Sequence, residues 1–224
     1  MVTSLVKMRF FANYQRPAIT LGIVLSSHLF DLTTYLSENF PSLTLGGGLF
    51  YRWPVGIRFA LGIEAFRERA PKLYEAVFAP EDACVIISQN WPEESLLHQR
   101  HFPVFSLPGV FDSEQMPVQR LEITTQENDE PKPFFLQWTE RPARSFRYVA
   151  VLEGIANADH VQSPSVSGRV YFLNPASAVI VHMYDDRGLD MIAARTEAIL
   201  PVYEAFKDWV LDFDRERIAQ SFSK

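Results

Sequence analysis

The stretch GRVYFLNPASAVIVHMYDDRGLDMIA, residues 168–193, constrains the fold more than any other part of the chain. GRVYFLN (168–174) and AVIVHMY (178–184) are runs of β-branched and aromatic residues. PASA between them reads as a tight turn, so the two runs predict a β-hairpin. DDRG (185–188) then interrupts the pattern with turn-forming residues, and LDMIA (189–193) supplies a third strand. The result is an antiparallel meander, against which the remaining elements must pack.

Those elements are read from periodicity. HLFDLTTYLSENFP (28–41) places Leu29, Leu32, Leu36 and Phe40 on one helical face, and Pro41 ends the helix. Gly46, Gly47 and Gly48 mark a loop, and without a following lysine and serine or threonine they do not make a nucleotide-phosphate loop. PVGIRFALG (54–62) alternates as a strand with one buried face and carries Arg58 on the other. APKLYEAVFAP (70–80) is helical, with Pro71 expected near a first turn, and ACVIISQNW (83–91) is a buried strand. Spacing alone leaves open whether this helix belongs to a βαβ unit or to a hairpin with an added helix. Residues 92–117 read as a long irregular loop, and RLEITTQE (120–127) and FFLQWTE (134–140) as a strand pair across NDEPKP. The alanines, Leu152 and Glu153 favour a helix over 145–158. ILPVYEAFKDWVLDF predicts a helix over 198–211 with Tyr203, Phe206 and Trp209 facing the core, followed by a short helix near DRERIAQSF. The expected fold is α+β: a mostly antiparallel sheet with helices near 28–40, 66–79, 145–158 and 198–211. Residues 1–31 are expected to form an extension that packs on a single domain spanning 32–224.

Composition narrows the function classes. With 47% hydrophobic residues, a chain of 224 residues can build a packed core. A formal charge of −6 lacks the basic excess that a phosphate backbone requires, so nucleic acid is not an expected partner. Lys7, Arg9 and Arg16 against Asp31 make the first 31 residues locally basic, which leaves the body more acidic still. The single cysteine, Cys84, lies in an apolar run and excludes an internal disulfide or a thiolate zinc site. A reducing, cytoplasmic setting is expected. The apolar segment AITLGIVL (18–25) is far shorter than the roughly 20 residues that span a bilayer, so no membrane association is expected.

Three candidate sites stand out. Asp185, Asp186, Arg187 and Gly188 read first as a turn, because aspartate bonds the backbone ahead of it and glycine accepts φ > 0. Arg58, half buried on its strand, needs a carboxylate, and Asp185 or Asp186 is the expected partner of a structural clamp that includes Gly188. A runner-up reading gathers His182, Asp185, Asp186 and Asp190 around a divalent metal for hydrolysis. A third site is an aromatic and acidic recognition surface built from Trp91, Glu93, Glu94, Phe102 and Phe105, with Asp129 and Glu130 on the neighbouring strand connection. No cofactor is expected, nor a catalytic residue outside the runner-up set.

LFYRWPVGIRFALG (49–62), YFLNPASAVIVHMYDDRGLDMIA (171–193) and LPVYEAFKDWVLDFDRERI (200–218) resemble the bacterial family called domain of unknown function 3885. The likeness runs from Leu32 to Phe222. It implies an architecture and a setting, that of small cytoplasmic proteins found beside polymorphic toxin genes, where acidic α+β proteins serve as immunity partners. The leading expectation is therefore a non-enzymatic immunity protein that covers a basic toxin. A small metal-assisted hydrolase and an interaction scaffold are the alternatives.

Overall fold

The computed structural model describes residues 29–91, 101–111, 117–127, 130–160 and 162–222. Its frame is a sheet of seven strands: β1 (Gly56–Ala60), β2 (Ala83–Asn90), β4 (Gln119–Glu127), β5 (Glu130–Pro142), β7 (Arg169–Asn174), β8 (Val179–Asp185) and β9 (Gly188–Ala193). They lie in the order β1-β9-β8-β7-β2-β5-β4, and every adjacent pair is antiparallel. Two short strands, β3 (His101–Phe102) and β6 (Ser165–Val166), form a separate parallel pair. The expected meander is β7-β8-β9. Its first turn is held by Asn174, whose side-chain oxygen accepts from the Ala176 and Ser177 N–H groups.

Both faces of the sheet are buried. One packs under α2 (Phe66–Glu75), α3 (Tyr148–Asp159), α4 (Leu200–Phe206) and α5 (Arg215–Ser221), with Phe59, Leu73, Phe172, Val181, Met191, Val202 and Ile218 in a shared core. The other packs under α1 (Leu32–Asn39) and the loop that follows it, through Leu32, Phe40, Leu49, Ile87, Trp138, Tyr171, Ile180 and Ile192. Asp31 caps α1, accepting from the Thr34 N–H at 3.0 Å and the Thr34 hydroxyl at 2.8 Å. That cap starts the helix at Leu32 and leaves exposed Leu29 before it.

Four expectations are corrected. α2 begins at Phe66, so Pro71 sits inside the helix and not in its first turn, leaving the Arg67 carbonyl without its i+4 donor. The spacing question has a third answer: β1 and β2 are separated by β9, β8 and β7, and α2 crosses the sheet between them. The single C-terminal helix is broken. α4 ends at Phe206, a 3₁₀ turn covers Lys207–Trp209, and Val210 bridges Phe59 while the Leu211 N–H donates to the Arg58 carbonyl at 2.8 Å. The segment leaves the helix to cover the open edge of β1, which would otherwise present unpaired backbone. Finally, β5 starts earlier than FFLQWTE. Pro131 and Pro133 fit within it because β5 there pairs only with β4, its pairing with β2 beginning at Phe135. Of the expected extension, 1–31, residues 1–28 lie outside the described residues, as do 92–100 and 112–116 of the expected loop, while Asp31 of the extension caps α1. Among the described residues no helix is long and apolar enough to cross a membrane.

Candidate functional site

Asp190 and Arg58 face each other directly across β9 and β1, and His182 faces Asp190 across β8 and β9. These rungs lie on the face opposite Phe59, Met191 and Val181, so a row of polar side chains runs across β1, β9 and β8. Arg58 donates from Nε to Asp190 Oδ1 at 2.7 Å and from an Nη to Oδ2 at 2.8 Å, a bidentate pair. Asp190 is fully buried and also accepts from the Phe50 N–H at 3.2 Å. Burial works against the Arg58 charge, but the hydrogen bonds and charge of Asp190 outweigh it and hold the guanidinium above its ordinary value. The guanidinium is flanked by the rings of Tyr51 at 4.4 Å and Tyr184 at 5.1 Å.

The expected clamp therefore exists with a different carboxylate. Antiparallel register sets Asp190 opposite Arg58, whereas Asp185 and Asp186 lie at the end of the β8–β9 turn. Asp185 serves its own turn: Oδ1 accepts from the Arg187 N–H at 2.8 Å and the Gly188 N–H at 3.1 Å, and Oδ2 pairs with the Arg187 guanidinium. Asp186 pairs with His160, which caps the C-terminus of α3, at 2.6 Å. The runner-up metal set is corrected on the same grounds. Each of its three carboxylates has its own partner, and no three His, Cys, Asp or Glu side chains gather among the described residues.

His182 is buried with its ring 4.5 Å from that of Tyr171. Its Nδ1 lies 2.9 Å from the Val170 carbonyl oxygen, which can only accept, so Nδ1 carries the proton. Burial pushes the ring's pKa down to about 4 and keeps it neutral, and Nε2 is left as a buried acceptor with no partner among the described residues.

The row opens on a cavity of about 440 Å³ lined by Gly47, Gly48, Tyr51, Arg58, Gly168, Arg169, His182 and Tyr184, with Ile155 and Met183 beneath. The glycine loop forms one wall through Gly47 and Gly48 and runs close past three guanidinium groups. A Cβ at Gly46, Gly47 or Gly48 would lie 3.1 Å from the Arg52 guanidinium, 3.6 Å from that of Arg169 and 3.5 Å from that of Arg58 respectively, and Gly48 has φ +68°. Phe50 bonded to Asp190, and the Trp53 indole N–H donating to the Ala193 carbonyl at 2.7 Å, pin this loop over β9. Gly168 enters β7 at φ +72°, where a Cβ would overlap the Gln89 carbonyl. A bulge between Met183 and Asp185 turns β8 at Tyr184, whose ring lies against Gly188. Arg169 stacks 4.6 Å over Trp91 and has no carboxylate partner among the described residues.

Only part of the expected recognition surface falls on the described residues. Phe102 and Phe105 are half buried against the main core, with Phe105 stacked 6.0 Å from Phe111, so they fasten their loop. Trp91 packs on the second core and supports Arg169. Glu93, Glu94 and Asp129 lie outside the described residues, and Glu130 opens β5 opposite Glu127. Sequence reasoning missed Arg169 and the glycine wall. The available signal was parity: Asp190 between Leu189 and Met191, and His182 between Val181 and Met183, mark polar residues on one face of buried strands.

Comparison with known proteins gives two matches. The family model described as a domain of unknown function, DUF3885, matches residues 32–214. An uncharacterized protein, YnaE of Bacillus subtilis (strain 168), is 23% identical over 218 residues, covering 82% of this chain and 98% of its own. No solved structure matches.

Proposed function

The chain belongs to the family of domain of unknown function 3885, and from that premise we propose that it works by binding, with the Arg58–Arg169 cavity as the place where it receives an anionic group. The observation that carries this reading is the charge of Arg169, which no carboxylate among the described residues pairs with. In a chain of net charge −6, this guanidinium faces a cavity of the size that small-molecule sites occupy. Arg58 adds N–H groups beyond the two that Asp190 occupies, and the glycine wall lets a ligand approach the backbone closely. The carboxylates near the meander are engaged in internal pairs, which favours binding over acid–base or metal-assisted chemistry. A thermal-shift panel of small anions on the wild type and on Arg169→Gln tests it. Stabilisation by one class of anion, lost in the variant, is the expected outcome. Equal shifts in both proteins, or none in either, would overturn it.

The acidic balance favours a second reading, an immunity protein whose acidic surface covers a basic toxin. Its test is co-expression with the product of the adjacent gene. Growth rescue together with co-elution supports it, and the absence of both removes it.

A further inference from the structure

We infer that the ligand of this cavity is an oxyanion that also carries an O–H group, as in a hydrogen phosphate, a phosphate monoester or a hydroxy acid, and that Nε2 of His182 accepts that hydrogen bond. The inference rests on the pocket reading above and adds to it the chemistry of the second contact. Three observations lead to it. His182 lines the cavity, is 2% exposed, and has an Nε2 with no partner among the described residues. Buried polar atoms without partners are rare in native proteins, and one in the wall of a cavity is satisfied when a ligand supplies the missing group. The tautomer then fixes which group that is. With Nδ1 donating to the Val170 carbonyl, Nε2 can only accept, so a fully deprotonated oxyanion such as sulfate cannot complete it.

The same wall holds the cations that need a negative partner. Arg169 and Arg58 line the cavity with His182, and both lie near enough for their charge to act on the imidazole and help keep it neutral. A neutral acceptor beside two guanidinium groups reads a ligand with negative oxygens and a proton on the adjoining atom. A carboxylate in place of His182 would pair with the arginines and close the site. A lysine or a protonated histidine would bind any anion without selecting the protonated one.

The test uses the full-length wild-type chain and two matched pairs of probes near neutral pH. Phosphate against sulfate compares tetrahedral oxyanions with and without an O–H. Glycolate against acetate compares carboxylates with and without a neighbouring hydroxyl. Affinity is read by calorimetric titration. Preference for the hydroxyl-bearing member of at least one pair by roughly tenfold is expected, since completing a buried hydrogen bond is worth about that much. Selection within the first pair places the O–H on the anionic group, and selection within the second places it on the carbon frame. His182→Phe, which keeps the ring and removes both nitrogens, should bind the two members of the pair alike. Sulfate and acetate binding as tightly as phosphate and glycolate would overturn the inference and leave the pocket reading standing. Binding of none of the four would overturn both. A preference that survives in His182→Phe would also overturn it, and the wild-type comparison decides even if that variant does not fold.

Discussion

Two aspartate–arginine pairs sit close together, one at the β8–β9 turn and one across β9 and β1, and they do opposite things. Asp185 and Arg187 are two residues apart at the β8–β9 turn, where the guanidinium is 67% exposed. Asp190 and Arg58 are 132 residues apart, and Asp190 has no exposure at all. The first pair shapes a turn that its own residues specify. The second closes the β1–β9 rungs, anchors the glycine loop through the Phe50 N–H, and places Arg58 in the wall of the cavity. Chemistry concentrated in a short stretch of sequence is thus the weaker guide here, and the contact made between distant strands builds the candidate site.

The largest effect should come from breaking the buried pair. Arg58→Ala leaves Asp190 as an uncompensated buried carboxylate and should lower unfolding stability by about 3–5 kcal/mol in urea titration. A loss of less than about 1 kcal/mol would mean that the pair is solvated.

The neutral histidine of the same row comes next. His182 has a folded pKa near 4 against an ordinary value of 6.5, so the unfolded chain binds a proton more readily between those values. Its contribution is therefore fully present above pH 6.5 and declines as pH falls toward 4, by up to roughly 3 kcal/mol. Stability measured across this window should fall in the wild type and fall less in His182→Phe. Parallel curves would place the titration elsewhere.

Gly168→Ala tests the entry to the pocket. Positive φ and the overlap with the Gln89 carbonyl should cost about 2 kcal/mol or more, read as a lowered midpoint. A neutral substitution would show that β7 shifts freely at its start. The smallest effect belongs to the local pair: Arg187→Ala should leave the unfolding midpoint unchanged within error, because solvent screens its exposed guanidinium and the Asp185 bonds to backbone N–H groups remain. A large loss there would erase the contrast between the two pairs.

This contrast also explains what the sequence made legible. Strand alternation, the PASA turn and the aspartates and glycine of DDRG are local patterns, and the meander follows from them. The identity of Arg58's carboxylate required the register of β1 on β9, which no local pattern encodes, although the isolated polar residues in LDMIA and VIVHMY were a usable sign. The break after Phe206 was hidden because helical spacing continues through Trp209, while the unpaired edge of β1 draws Val210 and Leu211 out of the helix. No local pattern marks Arg169. Its importance comes from Gly47 and Trp91, which meet it only in the folded chain.

The measurement that tests the central claim most directly is a backbone and arginine side-chain NMR titration of the wild-type protein with phosphate. The account predicts saturable shifts confined to Gly47, Gly48, Gly168, Arg169, the Arg58 guanidinium and their neighbours. Shifts scattered over surface lysines and arginines, or none at these positions, would contradict it.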